Sequence, residues 1–175
     1  MKKLFLCLLF MAYAAVTNAQ TSVCGIDFGT SYHEVEKKLE KRFGSSFVDE
    51  TDDTKICYLN KTYEGIDWEY MMFGFTGVVN DGYLNFCVLA KRFQTSAAAV
   101  RFREKLKRKM DVKFGNIEYK GVEQGFKYYL GGVNPFDESQ YGFRIAVEKE
   151  PDGTYSAGIW YGPYDITPEN LGFGD

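Results

Sequence analysis

The chain has few of the residues on which most metal and nucleophilic sites depend. Its 175 residues include one histidine, His33, and four cysteines. Zinc sites use His or Cys ligands in closely spaced pairs, whereas Cys24, Cys57 and Cys87 are far apart in the sequence. Serine and cysteine nucleophiles need an activating base beside them. The scarcity of histidine therefore argues against zinc sites and Ser-His or Cys-His hydrolases.

Loops that bind phosphate or calcium are also missing from the sequence. The segment 25–29 is rich in glycine but lacks the spacing and the Lys-Ser/Thr of a P-loop, which argues against nucleotide binding. The acidic segment 49–53 lacks the calcium-loop pattern and its closing glutamate. Two of its carboxylates could still serve a glycosidase, so a carboxylate-dependent enzyme remains an alternative. No cofactor and no metal is predicted.

The N-terminus has the three regions of a secretory signal peptide. Lys2 and Lys3 precede an apolar run at 4–16, and small residues follow at 17–19. The run is shorter than the ~20 apolar residues that a membrane-spanning helix requires. We expect cleavage after Ala19, no integral membrane segment afterwards, and export to the periplasm or out of the cell.

Charge and cysteine content limit the partners and the covalent structure of the exported chain. Removing Lys2 and Lys3 makes an acidic chain more acidic, which argues against nucleic acid as a partner. Three cysteines would remain, so at most one disulfide can form. Cys57 and Cys87 lie in strand-like runs, where a buried free thiol is common.

Two amphipathic helices are predicted. The first begins at Ser31, which with Glu34 forms a capping-box pattern, and it ends at Gly44. Its apolar stripe consists of Val35, Leu39 and Phe43. The second extends from Ser96 to about Asp111, with Ala99, Phe102, Leu106 and Met110 on one stripe. Its many basic residues are interpreted as the solvent side.

The remaining periodic segments predict antiparallel strands at 55–60, 66–76, 83–93, 125–131, 141–150 and 155–161. Turn-forming residues at 80–82 and 151–153 are typical of hairpins. The fold predicted is α+β: two tandem repeats of one helix and three or four strands, forming one curved sheet with both helices on one side. The repeat halves are 25–93 and 94–161 of a single domain at 20–161, followed by an extended tail at 162–175.

Alternation along the strands indicates which side chains face the helices. Leu84, Phe86, Val88 and Ala90 are predicted to share the buried face of one strand. Phe143, Ile145 and Val147, together with Tyr141, are predicted to do so in another.

The same alternation nominates a recognition site on the helix-free side of the sheet. If Tyr128 faces inward, then Tyr129, Arg144 and Trp160 face outward together. Tyr, Trp and Arg are enriched at recognition hot spots. A protein or a glycan is the expected partner; a second layer or a homodimer could cover these side chains instead.

Several segments resemble small secreted bacterial proteins of unknown function. They are Gly25-Ile26-Asp27-Phe28-Gly29-Thr30-Ser31-Tyr32, Tyr63-Glu64-Gly65-Ile66, the Phe126 to Gly132 segment and Tyr161-Gly162-Pro163-Tyr164. The tandem helix-plus-strands plan is also similar to beta-lactamase-inhibitory proteins and, in one copy, to outer-membrane assembly lipoproteins of the small SmpA type. The resemblance implies an architecture and no activity. The function expected is noncatalytic binding outside the cytoplasm, with an envelope structural or assembly role as the main alternative.

Overall fold

The computed structural model describes residues 22–46, 55–77, 82–167 and 170–171. Within these residues it confirms the α+β class: two helices accompany a seven-stranded antiparallel sheet and a separate two-stranded sheet. The predicted signal peptide, the acidic segment 49–53 and positions 80 and 81 of the first predicted turn lie outside the described residues.

Helix α1 spans Tyr32–Phe43 and begins and ends where the sequence predicts. Ser31 is the N-cap, although its side chain makes no capping hydrogen bond, and Gly44 follows the helix at a φ of 80°. Val35 and Leu39 are buried, which confirms the predicted apolar stripe.

Helix α2 spans Ser96–Phe114 and extends beyond the predicted end. Its N-cap is Thr95, whose hydroxyl oxygen accepts a hydrogen bond of 3.3 Å from the Ala98 N–H. Ala99, Leu106 and Met110 are buried as predicted.

The strands are β1 (Ser22–Val23), β2 (Ile26–Asp27), β3 (Lys55–Tyr63), β4 (Ile66–Phe75), β5 (Leu84–Phe93), β6 (Glu118–Glu123), β7 (Phe126–Gly131), β8 (Phe143–Lys149) and β9 (Tyr155–Tyr161). The large sheet has the order β3-β4-β5-β9-β8-β7-β6. Strands β1, β2 and β6 were not predicted from the sequence. The first two are only two residues long, and β6 is an exposed edge strand interrupted by a bulge, so none of the three carries a clear alternation.

Cross-strand register shows which face the helices cover. One row of residues crosses five neighbouring strands in register, and all of its members are buried in one core. This buried row consists of Met71, Leu89, Ile159, Ile145 and Tyr129. The same core contains Val35 and Leu39 of α1 and Leu106 and Met110 of α2. Both helices therefore pack on this face.

The prediction of which β5 side chains face the helices is wrong over most of the strand. Cys87 and Leu89 face the core, whereas Val88 and Ala90 lie on the opposite side of the sheet. The register shifts beside Phe75, opposite the start of β5, so that Leu84 remains in the core while the alternation after it is reversed. Phe143, Ile145 and Val147 are buried as predicted, but Tyr141 precedes β8 and is exposed.

Arg103 corrects the interpretation of the basic side of α2. It is 4 % exposed, and its guanidinium donates hydrogen bonds to the Lys127 carbonyl in β7 at 2.7 Å and to Glu104 at 2.5 Å. Its Cζ atom lies 5.4 Å from the centre of the Tyr129 ring. Arg103 is therefore a buried link between α2 and the sheet.

This link predicts a loss of stability in acid. Burial acts to raise the pKa of Glu104, but hydrogen bonds from Arg103 and Tyr129 and nearby positive charge outweigh it and hold the pKa below the ordinary 4.5. A carboxylate with a lowered pKa in the folded state stabilises the protein at neutral pH, and this contribution is lost as the pH falls through the lowered pKa. In urea unfolding between pH 7 and pH 3, Glu104→Gln should reduce the acid-induced loss of stability. An unchanged pH profile would contradict this assignment.

The segment after β9 is in neither helix nor strand through Thr167. Tyr164 is 3 % exposed within the main core, its hydroxyl donates to the Gly142 carbonyl, and its N–H donates to the Asn85 carbonyl at 2.9 Å. The start of the predicted tail therefore packs against the sheet.

Cys24, Cys57 and Cys87 are all buried, which confirms the burial predicted for Cys57 and Cys87. Neither described helix is long and apolar enough to cross a membrane.

Candidate binding face

The side of the seven-stranded sheet opposite the two helices is here called the open face. A second row of residues crosses five neighbouring strands on this face. Its members are Met72 in β4, Val88 in β5, Trp160 in β9, Arg144 in β8 and Leu130 in β7. Each of them is adjacent in sequence to a core residue of the buried row, so their side chains point away from the helices. Arg144 and Trp160 were predicted to lie on this side of the sheet, and the cross-strand register places both of them there.

Tyr129 does not belong to the open face. It lies opposite Ile145, is 8 % exposed, and donates a hydrogen bond of 2.9 Å from its hydroxyl to Glu104 of α2. The phase of β7 was predicted the wrong way round, because Tyr128 and Tyr129 are chemically equivalent neighbours and alternation alone does not say which faces inward. Tyr128 takes the outward position instead.

Arg144 organises a stack of side chains on the open face. Its Cζ atom lies 5.3 Å from the Tyr128 ring centre and 5.7 Å from the Trp160 ring centre. Its two terminal nitrogens donate to Glu123 at 2.5 Å and to Glu148 at 3.2 Å. The guanidinium is thus held by two rings and two carboxylates, which limits the motion of the stack.

A groove lies beside this stack, with a volume of about 340 Å³. Its residues come from β3, β4, β5, β8 and β9 and the start of the β8–β9 turn: Leu59, Glu69, Tyr70, Met72, Val88, Ala90, Lys91, Arg92, Glu148, Glu150, Ser156 and Trp160. Ala90 lies opposite Gly158. Because both residues are small, the centre of the face forms a depression between the larger side chains. A second depression of about 480 Å³ lies on the other side of Trp160 and Arg144.

Charged side chains surround the apolar floor of the first groove. The Arg92 side chain forms an ion pair of 3.5 Å with Asp152, and the Arg92 backbone N–H donates to the Glu69 carboxylate at 3.1 Å. Glu148 accepts from Arg144, whereas Glu150 lies at the rim near the turn. Cation and carboxylate are thus both present at the rim, and the carboxylates are in excess.

Other features raised by the sequence lie outside this face. His33 is exposed in the first turn of α1, and its Nδ1 is 4.0 Å from Glu36. Within the described residues, no group of three or more His, Cys, Asp or Glu side chains is arranged to hold a metal ion.

Sequence analysis missed the contribution of β4 to the groove. Tyr70 and Met72 alternate with Met71 and Phe73, so both faces of this strand are apolar and its sequence shows no clear period of two. The signal available was the run of large apolar residues itself, which is typical of a strand covered on both sides.

Comparison of the chain with protein-family models, curated proteins and solved structures finds no match. Function is therefore argued from the geometry of the open face.

Proposed function

We propose that this chain is an exported, noncatalytic binding module that recognises a partner protein through the open face. The observation that carries the proposal is the Tyr128–Arg144–Trp160 stack beside an apolar groove. The groove is within the ~300–1,000 Å³ of typical ligand sites, large enough for an anchoring side chain from a partner.

The side chains of the stack are fixed by their own contacts before a partner binds, which favours recognition. Binding costs conformational entropy when long side chains must be ordered, and Arg144 is already held by Glu123 and Glu148. Arg, Tyr and Trp are the residue types that most often dominate binding energy. The stack therefore presents large rigid surfaces at low entropic cost.

A protein partner is favoured over a glycan by the position of Arg144. Sugar rings stack on the flat faces of aromatic side chains, and the Arg144 guanidinium lies over the Trp160 ring at 5.7 Å. One face of this ring is thereby occupied. The edge of Trp160 and the groove beside it suit a protruding side chain better than a planar sugar face.

The proposal is tested by affinity capture from envelope and secreted fractions. Wild-type protein is compared with Trp160→Ala and with Tyr119→Ala, which removes a 57 % exposed tyrosine from the helix side of edge strand β6. We expect a partner that wild-type protein and Tyr119→Ala retain and that Trp160→Ala loses, because only Trp160 borders the groove. Circular dichroism confirms that all three proteins are folded.

Capture of the same partners by all three proteins would contradict recognition through the open face. Enrichment of membrane proteins regardless of Trp160 would favour the alternative of an envelope structural or assembly component. Binding to a glycan array that depends on Trp160 would replace the protein partner with a glycan.

The tandem-repeat origin of the fold and the curvature of its sheet are also proposed. Each half consists of a helix followed by antiparallel strands. The last strands of the two halves, β5 and β9, are neighbours in the middle of the large sheet. That arrangement supports two copies related by an axis between β5 and β9, as the resemblance to beta-lactamase-inhibitory proteins implies.

A further inference from the structure

The two sides of the molecule differ in charge. Helix α2 carries Arg101, Arg103, Lys105, Lys107, Arg108, Lys109 and Lys113 against Glu104 and Asp111. The open face and its rim have the opposite balance, with Glu69, Glu123, Glu148, Glu150 and Asp152 against Lys91, Arg92 and Arg144. Among these described residues, carboxylates therefore outnumber cations on the open face and its rim, whereas cations outnumber carboxylates on α2.

The cations on the open face are mostly neutralised by neighbours. Arg144 is paired with Glu123 and Glu148, at 2.5 Å and 3.2 Å, and Arg92 is paired with Asp152 at 3.5 Å. An incoming anion would meet guanidinium groups that are already occupied and carboxylates in excess. An incoming cation would meet favourable potential at the rim.

Resting on the proposed function, we propose that the partner contributes a basic segment that carries an apolar anchor. The anchor enters the groove between Tyr70, Met72 and Trp160, and flanking Lys or Arg side chains pair with Glu69 and Glu150 at the rim. The floor of the groove can bury an apolar side chain, and its acidic rim can pair with basic side chains. A partner segment that carries both therefore fits better than a segment that carries only one of them.

The rim charges make a specific prediction about salt. Exposed ion pairs contribute little free energy each and are screened by salt, with a Debye length of ~8 Å at physiological ionic strength. Burial of the anchor is much less sensitive to salt. Affinity should therefore fall with ionic strength toward a residual value that depends on Trp160.

The test uses synthetic peptides of alternating lysine and leucine, with the matched glutamate–leucine peptide as the charge-reversed probe. Each is titrated calorimetrically into the purified protein at low and high salt. The groove variant is Glu69→Gln with Glu150→Gln, which leaves both carboxylate partners of Arg144 in place. Its control is Glu34→Gln with Glu36→Gln, which makes the same charge change at exposed positions of α1. We expect the lysine–leucine peptide to bind, and to bind about tenfold more weakly to the groove variant only.

Equal binding of both peptides, no binding of the lysine–leucine peptide, or equal loss in the control variant would overturn the inference. It would also fall if a captured partner required Trp160 but bound the groove variant at full strength, while the proposed function would stand. Failure of Trp160→Ala to lose any partner would instead defeat the proposed function itself. Self-association that disappears in the groove variant would make a second copy the occupant, through its basic α2, and would replace the inference.

Discussion

Replacing Arg103 with alanine is expected to lower the free energy of unfolding by about 3 kcal/mol. The substitution removes a side chain that is 5 % exposed and that links Lys127 of β7 to Glu104 of α2. The Lys127 carbonyl would lose its donor, Glu104 would lose its closest cation, and the space beside the Tyr129 ring would be left unfilled. Urea unfolding followed by circular dichroism measures the change.

Arg101→Ala is the matched control, because Arg101 is an exposed arginine of the same helix. Its removal should change stability by no more than about 0.5 kcal/mol. If both substitutions have the same small effect, Arg103 is not the buried link described above.

The second large loss of stability is expected from a substitution at Gly158, at the centre of the open face. A methyl group added at Gly158 would lie 2.3 Å from the Leu89 carbonyl oxygen and 2.9 Å from the Ala90 Cα, both backbone atoms of the neighbouring strand. Backbone does not move aside as a side chain can, so Gly158→Ala should force β5 and β9 apart. We expect a loss of about 3 kcal/mol in the free energy of unfolding, at the upper end of overpacking effects. Thermal or urea unfolding measures it.

Gly121→Ala provides the comparison at an edge strand. Its added methyl would lie 3.1 Å from Cε1 of the Tyr128 side chain, which can rotate by the small amount required. Its effect should stay within about 1 kcal/mol. A Gly158→Ala protein as stable as wild type would mean that β5 and β9 are not paired in the register that sets the groove floor.

The helices were predictable because their signals are local. Capping residues, a terminal glycine and a stripe of apolar residues lie within one segment, so the start of α1 and the buried Val35 and Leu39 followed without any knowledge of tertiary contacts. The end of α2 was predicted too early, although Phe114 continues the apolar stripe four residues after Met110 and packs against the core, and Gly115 follows as the C-cap.

The candidate site was only partly predictable because strand faces are decided across strands. Arg144 and Trp160 were placed correctly, since each lies between clearly apolar neighbours. Tyr129 was misplaced because only its pairing with Ile145 decides which of two adjacent tyrosines faces α2. Arg103 was misjudged for a similar reason, since its partner is a carbonyl 24 residues away in the sequence.

By itself, the sequence determined the α+β class, the two helices and most of the strands, because hydrophobic period, caps and turns are properties of neighbouring residues. Only the tertiary structure decided the strand order, the open face and the groove. Alternation divides a strand into two sets of side chains, but packing against helices and neighbouring strands decides which set is buried. For this protein that choice places Tyr128 beside Arg144 and Trp160 and returns Tyr129 to the core.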